Sequence, residues 1–180
     1  MNALDVAQNS VAAGATLVQI TLEAWPEQDR LALAIADNGR GMDADTVRRV
    51  TDPFYTTRKT RRVGLGLPFL KMAAEMTGGR MEIHSVPGEG TLVKAEFGLS
   101  HIDRAPLGDM ASTVAGLIQC SPDIDFVYTV RAAGEEFCTD TRRLREILQG
   151  VPLSEPAVAQ WIREYIQENT QPILQRSKIV

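Results

Sequence analysis

The chain has 180 residues, 44% hydrophobic and 23% charged, which is the composition of a globular protein rather than a disordered one. Its net charge of −4 provides no overall basic field, so we expect neither nucleic acid nor an anionic membrane as a partner. No apolar run approaches the roughly 20 residues that span a bilayer, and the first residues do not resemble a signal peptide, so we expect a cytoplasmic protein.

The first hundred residues alternate between helical and strand periodicity. Residues 2–14 predict a helix, and the alternation in "LVQITLEAW" and "LALAIAD" predicts an antiparallel hairpin. A short helix is expected from Asp43, as its N-cap, to Val50, and a longer one from about Leu67 to Thr77. "RMEIHSV", the turn "PGEG" and "TLVKAEF" predict a second hairpin. This order predicts a two-layer α/β sandwich whose sheet is largely antiparallel and covered on one face.

The pattern changes near residues 98–106, where we expect a linker between a first domain, residues 1–98, and a smaller, mainly helical region, residues 99–180. The elements predicted in that region are a helix marked by Met110, Val114, Leu117 and Ile118, a hairpin turning at Gly134, a helix from Thr141 to Leu148 and a last helix starting at Ser154. Cys120 and Cys138 fit no zinc spacing and are expected to be buried thiols in a reducing compartment.

Four polar clusters carry the candidate chemistry, and the first is a pair on the predicted first helix. Asp5 and Asn9 are four residues apart, so they share one helix face. A carboxylate and an amide oxygen placed in this way can hold a hydrated Mg²⁺. Such a pair taken alone fits an exposed polar face as well.

The second cluster, "DNGRGM" from Asp37 to Met42, follows directly after a strand. A carboxylate accepts hydrogen bonds and donates none, so Asp37 can select an exocyclic amine such as N6 of adenine over the carbonyl of guanine. Leaving a buried acceptor unpaired costs about 1–3 kcal/mol. The hexapeptide fits equally well an ordinary turn in which Asp37 caps its own backbone.

The third and fourth clusters are close together in the sequence. "DPFYTTRK", residues 52–59, places hydroxyls and cations on a loop, which suits either a polyphosphate ligand or a merely solvated loop. The fourth, Gly64-Leu65-Gly66-Leu67, opens a helix whose free N–H groups and dipole attract phosphate. The pattern is neither G-x-G-x-x-G after a first strand nor a P-loop, so both of those nucleotide motifs are excluded.

In this order, the four clusters resemble the ATP-binding domain of the GHKL superfamily, which includes sensor histidine kinases, type II topoisomerase ATPase subunits and mismatch-repair ATPases. "LDVAQNSVAAGAT" resembles its N box, "DNGRGM" its G1 box, "DPFYTT" its F box, and "GLGLPFLKMAAEMTGGRMEIHSVPGEGT" its G2 box with the strands that follow. The resemblance covers residues 3–97. It implies the Bergerat fold, also called the histidine kinase-like ATPase fold, with a mixed, mostly antiparallel sheet and with ATP and Mg²⁺ as ligands.

The resemblance also assigns roles to individual residues. Asn9 would ligate Mg²⁺, Asp37 would bind the adenine amino group and Thr91 would support Asp37. The other nucleotide contacts that it implies are Gly39, Gly41, Met42, Thr56, Thr57, Arg58, Lys59, Gly64, Leu65, Gly66 and Leu67, with the stretch from Thr56 onward forming part of an ATP lid. Asp5 occupies the position where hydrolysing members carry a glutamate base, and it is one methylene shorter.

The chain departs from the family pattern in two respects. The family domain usually has a further strand and helix before the N box, and we expect residues 100–180 to fill that gap or to cover the exposed sheet edge. There is also no phosphoacceptor helix, because His84 lies in a predicted strand and His101 in the linker.

The leading interpretation is therefore a stand-alone, histidine kinase-like subunit that transfers the γ-phosphate of ATP to a partner protein in signalling. The alternatives are a slow ATPase with Asp5 as its base, and a non-catalytic nucleotide-sensing module of the anti-sigma type that regulates a bound partner.

Overall fold

The structure, a computed structural model, describes residues 3–52, 65–177 and 179. In chain order these residues form α1 (Ala3–Ala12), β1 (Leu17–Trp25), a 3₁₀ turn (Pro26–Gln28), β2 (Arg30–Asp37), α2 (Ala44–Arg49), α3 (Gly66–Met76), β3 (Arg80–Val86), β4 (Gly90–Gly98), α4 (Met110–Cys120), β5 (Asp125–Ala132), β6 (Glu135–Asp140), α5 (Thr141–Leu148) and α6 (Pro156–Arg176). The predicted α/β fold class is confirmed.

The strands of the described chain form one sheet with the order β3-β4-β2-β1-β5-β6. Four of its five strand pairs are antiparallel, and β5 lies parallel to β1. This pairing confirms the expectation that part of residues 100–180 covers a sheet edge. The division between residues 1–98 and 99–180 stays a prediction, and strands from both sides of it share this sheet.

The predicted hairpin at Gly134 forms with a two-residue turn. Ala132 pairs with Glu135, and the two residues between them, Ala133 and Gly134, have φ angles of 52° and 78°. Positive φ at both central positions is the requirement of a type I′ turn, whose twist matches that of the flanking strands. Local turn chemistry therefore fixes the register of β6 on β5.

Helices cover one face of the sheet. The alternation of β1 buries Val18, Ile20, Leu22 and Ala24 beneath them. α1 packs on β1 and β2, α3 on β3 and β4, and α6 on β5 and β6, while α4 contacts both α1 and α6. No helix among the described residues is both long enough and apolar enough to cross a bilayer.

Two predictions from the sequence are wrong in detail. Cys120 and Cys138 are exposed rather than buried. Cys120 is the last residue of α4, and Cys138 lies on β6 with its side chain on the face of the sheet that the helices do not cover. The last helix begins at Pro156, with Glu155 as its N-cap residue, rather than at Ser154. Proline is well suited to the first helical position, where its missing N–H would have no intrahelical partner.

The uncovered face of the sheet is polar, and Glu96 on β4 lies at the centre of its main ion-pair cluster. The Glu96 side chain is 10% exposed, and its oxygens lie 2.9 Å from Nζ of Lys94, 3.4 Å from Nη2 of Arg30 and 3.5 Å from Nη2 of Arg80. The hydrogen bond from Lys94, together with the nearby cations, holds the pKa of Glu96 below its ordinary value of 4.5. The cluster therefore joins β2, β3 and β4.

We predict that Glu96→Gln lowers the free energy of unfolding at pH 7 by about 1 kcal/mol. A carboxylate whose pKa is lower in the folded state stabilises the fold above its ordinary pKa, here 4.5, and loses this contribution as the pH falls through the folded-state value. The difference from wild type should therefore shrink between pH 5 and pH 3, as measured by urea denaturation. Glu89→Gln, in the exposed β3–β4 turn, is the matched control, and an undiminished difference at pH 3 would contradict the prediction.

Candidate functional site

Helix α1 has a buried face and a polar face. Val6 and Ala7 are buried against the sheet, whereas Asp5 and Asn9 are exposed and lie one turn apart. Asn9 lines a cavity beside α1, and Asp5 packs against the start of α3. A Cβ placed on Gly66 would lie 2.7 Å from Cβ of Asp5, so the two helices touch where glycine permits it.

Asp37 ends β2, and each of its carboxylate oxygens accepts one hydrogen bond from the protein. Oδ2 accepts from Oγ of Ser10 at 2.6 Å, and Oδ1 accepts from the backbone N–H of Gly39 at 2.9 Å. The second bond is the turn contact expected of a "DNG" sequence. A carboxylate has about four lone-pair sites, so Asp37 can still accept from a ligand donor. Ser10 is buried, and it fixes the carboxylate at the cavity wall.

The loop after Asp37 is tied to the turn between α1 and β1. Oδ1 of Asn38 accepts from the backbone N–H groups of Thr16 and Leu17, both at 2.9 Å. The Arg40 N–H donates to the carbonyl of Ala13 at 3.0 Å. These bonds hold one side of the loop against α1.

The turn between β3 and β4 holds the other side of the same loop. The Gly88 N–H donates to the carbonyl of Arg40 at 2.8 Å, and the Met42 N–H donates to Oγ of Ser85 at 2.8 Å. Gly41 has a φ of +65°, and a Cβ there would lie 2.0 Å from the carbonyl oxygen of Val86. Gly41 is therefore required both by its left-handed conformation and by this close approach.

Helix α3 begins at the edge of the cavity without a side-chain cap. Leu65 is its N-cap residue, and Leu67, buried in the first turn, lines the cavity. Among the described residues, the N–H groups of Gly66 and Leu67 have no backbone acceptor. Such a helix start carries a partial positive charge that favours anions. We therefore regard this end of the cavity as suited to a negatively charged group.

The cavity has a volume of about 600 Å³; we call it the α1 cavity. It brings together six of the residues that the sequence nominates, namely Asn9, Asp37, Gly41, Met42, Leu67 and Thr91. Four others lie close by in sequence or space without lining it: Asp5, Gly39, Leu65 and Gly66. The remaining five fall outside the described residues: Thr56, Thr57, Arg58, Lys59 and Gly64.

Thr91 lies directly opposite Asp37 in the pairing of β2 with β4. The hydrogen bond of its side chain is made not with Asp37 but with Ser85, at 2.9 Å between the two hydroxyl oxygens. A Cβ on Gly39 would lie 2.9 Å from Cβ of Ala13, so this glycine allows the loop to approach the α1–β1 turn. The roles that the resemblance assigns to both residues stay predictions.

Sequence reasoning did not nominate five polar residues at or beside the cavity as site residues. Ser10, Arg40, Asp43 and Thr46 line it, and Ser85 supports it from β3. The Thr46 backbone N–H also donates to Asp43 on the cavity wall, which lowers the pKa of that carboxyl. Two of them carried a signal in the sequence, since Ser10 follows Asn9 directly and Arg40 lies within "DNGRGM".

Comparison with curated proteins finds sensor kinases. Sensor histidine kinase YxdK of Bacillus subtilis is 34% identical over 83 residues, which cover 44% of this chain and 26% of the relative. Sensor protein kinase FleS of Pseudomonas aeruginosa is 36% identical over 104 residues, covering 58% of this chain and 25% of the relative. The matches thus span only about a quarter of each of these relatives.

A solved structure, the N-terminal domain of a DNA repair protein, superposes with a TM-score of 0.52 at 14% identity. The superposition covers 76% of this chain and 50% of that one, and it supports the fold alone. Residues 1–101 match the family described as "Histidine kinase-, DNA gyrase B-, and HSP90-like ATPase". Because this match spans more than half of the 180 residues, the chain belongs to that family of ATPase domains.

Proposed function

We propose that the chain is a Mg-ATP-binding, histidine kinase-like subunit that transfers the γ-phosphate of ATP to a partner protein in signalling. One observation carries the proposal. Four distant sequence segments meet around the α1 cavity and supply an acceptor carboxylate at Asp37, an amide at Asn9 and a helix start at Leu67. A function of this kind would operate in the cytoplasm.

The Asp37 end of the cavity suits the adenine ring. Asp37 presents a carboxylate whose two donors from the protein, Ser10 and Gly39, leave room for a further donor from a ligand. The exocyclic amine of adenine is such a donor, whereas guanine places a carbonyl at the equivalent position. The proposal therefore specifies ATP and ADP rather than guanine nucleotides.

The part of the cavity lined by Asn9 and Leu67 suits phosphates and a magnesium ion. Asn9 offers a hard oxygen ligand of the kind that Mg²⁺ accepts while it keeps several waters. No group of three potential ligands from His, Cys, Asp and Glu occurs in the described residues, so the ion would be shared between Asn9, phosphate oxygens and water. When bound, it would neutralise phosphate charge. The resemblance also assigns Thr56, Thr57, Arg58 and Lys59, which fall outside the described residues, to the phosphates.

The phosphoacceptor would belong to the partner. The histidines of this chain are His84 and His101; neither lines the α1 cavity, and the side chain of His84 on β3 is 71% exposed. Phosphoryl transfer depends mainly on positioning and charge neutralisation, so the subunit would need no covalent intermediate of its own. A partner side chain would approach the phosphate end, beside the first turn of α3.

The second candidate function, slow ATP hydrolysis, rests on Asp5. Its side chain is exposed and packs beside the first turn of α3. From this position, the carboxylate would activate a water near the γ-phosphate. A nucleotide-sensing module without turnover is the third alternative, and it would bind its partner in an ATP-dependent manner.

We predict that Asp37→Asn weakens ATP binding by about 10- to 100-fold, which corresponds to the loss of one or two hydrogen bonds to a charged group. The amide retains only one acceptor oxygen, so it cannot serve Ser10, Gly39 and an adenine amine as the carboxylate does. Calorimetric titration with ATP, ADP and GTP, with and without Mg²⁺, measures the effect.

Glu23→Gln on β1 is the matched control, because it removes a carboxylate from the opposite face of the sheet. This variant should bind ATP as wild type does. Unchanged ATP affinity in Asp37→Asn would refute the assignment of Asp37 to the adenine amine.

We predict that Asp5→Ala leaves phosphate transfer to the partner within about threefold of wild type, because positioning rather than a general base dominates phosphoryl transfer. The experiment incubates the protein with γ-labelled ATP and with partners captured by pull-down in the presence and absence of ATP. It measures both label on the partner and free phosphate.

Asp5→Asn serves as the control of similar size in the same assay. If the release of free phosphate falls by 100-fold or more in both variants and no partner carries label, the result favours the ATPase. If a partner is captured only in the presence of ATP, and neither label on that partner nor release of phosphate is detected, the result favours the sensing module.

A further inference from the structure

We propose that a second cavity, between α1 and α4, is a binding site for a small, uncharged and mainly apolar molecule. The cavity has a volume of about 520 Å³, and we call it the α1–α4 cavity. This volume is within the range of about 300–1,000 Å³ that small-molecule sites have. Ala12 is the one residue that lines both this cavity and the α1 cavity, so the site is separate from the proposed nucleotide contacts.

Apolar side chains from both helices form much of the wall of the α1–α4 cavity. Val11 and Ala12 come from α1, and Leu117, which is buried, comes from α4. Leu4 also lines the cavity and is 41% exposed, so the cavity opens to solvent beside it. An apolar molecule bound there would remove its own surface and that of these side chains from water, which favours binding.

Gly116 lies in the interior of α4 and lines the same cavity. Its backbone is helical, so no positive φ requires a glycine at this position. A Cβ added to it would have no atom of the described chain within 4 Å beyond its own part of the helix. Glycine inside a helix is less stable than alanine. The structural effect of Gly116 is therefore to keep space open in the cavity at a cost in helix stability.

The polar side chains that line the α1–α4 cavity are neutral, and none of its described lining residues carries a charge. Two of them, Ser112 and Thr113, have committed protons. Oγ of Ser112 donates to Oδ2 of Asp109 at 2.5 Å, and Oγ1 of Thr113 donates to the carbonyl of Asp109 at 2.8 Å. Both hydroxyls therefore offer only lone pairs to a ligand. A ligand N–H or O–H would find an acceptor, whereas an ionic group would find no counter-charge.

The surface around the cavity favours a small molecule over a protein partner. A stable protein interface buries about 800 Å² on each side around an apolar core. Among the described residues of α1 and α4, Leu4 is the one large hydrophobic side chain that is exposed. The apolar surface that these helices offer is thus concentrated inside the cavity, where a molecule of limited size would reach it.

Helix α1 separates the two cavities. Gln8 and Val11 line the α1–α4 cavity, whereas Asn9 and Ser10 line the α1 cavity. A ligand packed between α1 and α4 would hold α1 in its present position and so favour ATP binding. This coupling rests on the proposed function, whereas the α1–α4 site itself does not. Because coupling between two binding sites is reciprocal, ATP should strengthen binding of the ligand by the same factor.

The first test titrates the full chain, without nucleotide, with the uncharged dye prodan, whose fluorescence shifts to the blue in an apolar environment. We expect saturable binding at one site. Gly116→Leu fills the cavity with a good helix former and should weaken binding by about tenfold. Ala157→Leu, which adds the same side chain at an exposed position of α6, should bind prodan as wild type does.

Gly116→Ala separates filling of the cavity from an effect on folding. It adds one methyl group, so prodan binding should stay within about threefold of wild type while the melting temperature rises by about 2–4 °C. Absence of saturable binding to wild type, or equal affinity in wild type and Gly116→Leu, would overturn the proposed site.

The two cysteines show where the dye binds. Cys120 is exposed and lines the α1–α4 cavity, whereas Cys138 is exposed on the uncovered face of the sheet. Saturating prodan should slow alkylation of Cys120 by iodoacetamide by about fivefold and leave Cys138 unchanged, as measured by mass spectrometry of the peptides. An unchanged rate at Cys120, or equal slowing at both cysteines, would overturn the assignment of the dye to this cavity.

Calorimetric titration with ATP in the presence of saturating prodan tests the coupling. We expect ATP to bind about fivefold more tightly, and prodan to bind more tightly by the same factor when ATP is present. ATP affinity that does not respond to prodan would overturn the coupling. Protein that binds prodan but not ATP would overturn the proposed function and the coupling while supporting the site, and protein that binds ATP but not prodan would overturn the site alone.

Discussion

The site depends on one loop, residues 38–42, being held between α1 and the β3–β4 turn. Asn38 and Arg40 bind the turn after α1, while Gly41 and Met42 meet the hairpin on the other side. The loop therefore has fixed partners on both flanks. Hydrogen bonds from Ser10 and from the Gly39 N–H orient the carboxylate of Asp37 at its start. Ser10 and Gly39 each supply one donor to Asp37, so its carboxylate keeps acceptor capacity for a ligand.

The C-terminal region supports the same site from behind. β5 extends the sheet beyond β1, and α4 packs on α1, the helix that carries Asn9. A helix of 10 residues is marginal in isolation, so α1 owes its stability to its packing on β1, β2, α3 and α4. A partner that displaced α4 would thus act on the part of the cavity that Asn9 lines, although it bound elsewhere.

Local patterns predicted most elements, since the alternation in β1 and β2 and the turn at Gly134 are short-range signals. They also nominated Asn9 and Asp37, which the fold brings to one cavity. For β5, the sequence predicted only that some part of residues 100–180 would cover a sheet edge. It did not predict the parallel pairing with β1, because the register of that pair is set by contacts between distant segments. Ser85 was not predicted for a similar reason, because its hydrogen bond with Met42 joins segments that are far apart in the sequence.

The contact between Asp5 and Gly66 bears on the phosphate binding proposed at the start of α3. An aspartate beside the first turn of α3 interacts favourably with the partial positive charge of that helix start, and so competes with a phosphate for the same field. A polyphosphate brought there without a cation would also meet the carboxylate directly. In the proposed function, a divalent ion held by Asn9, one turn farther along the same face of α1, would reverse the sign of that interaction. The acidic residue would therefore make binding of a triphosphate more dependent on magnesium, whether or not it also activated water.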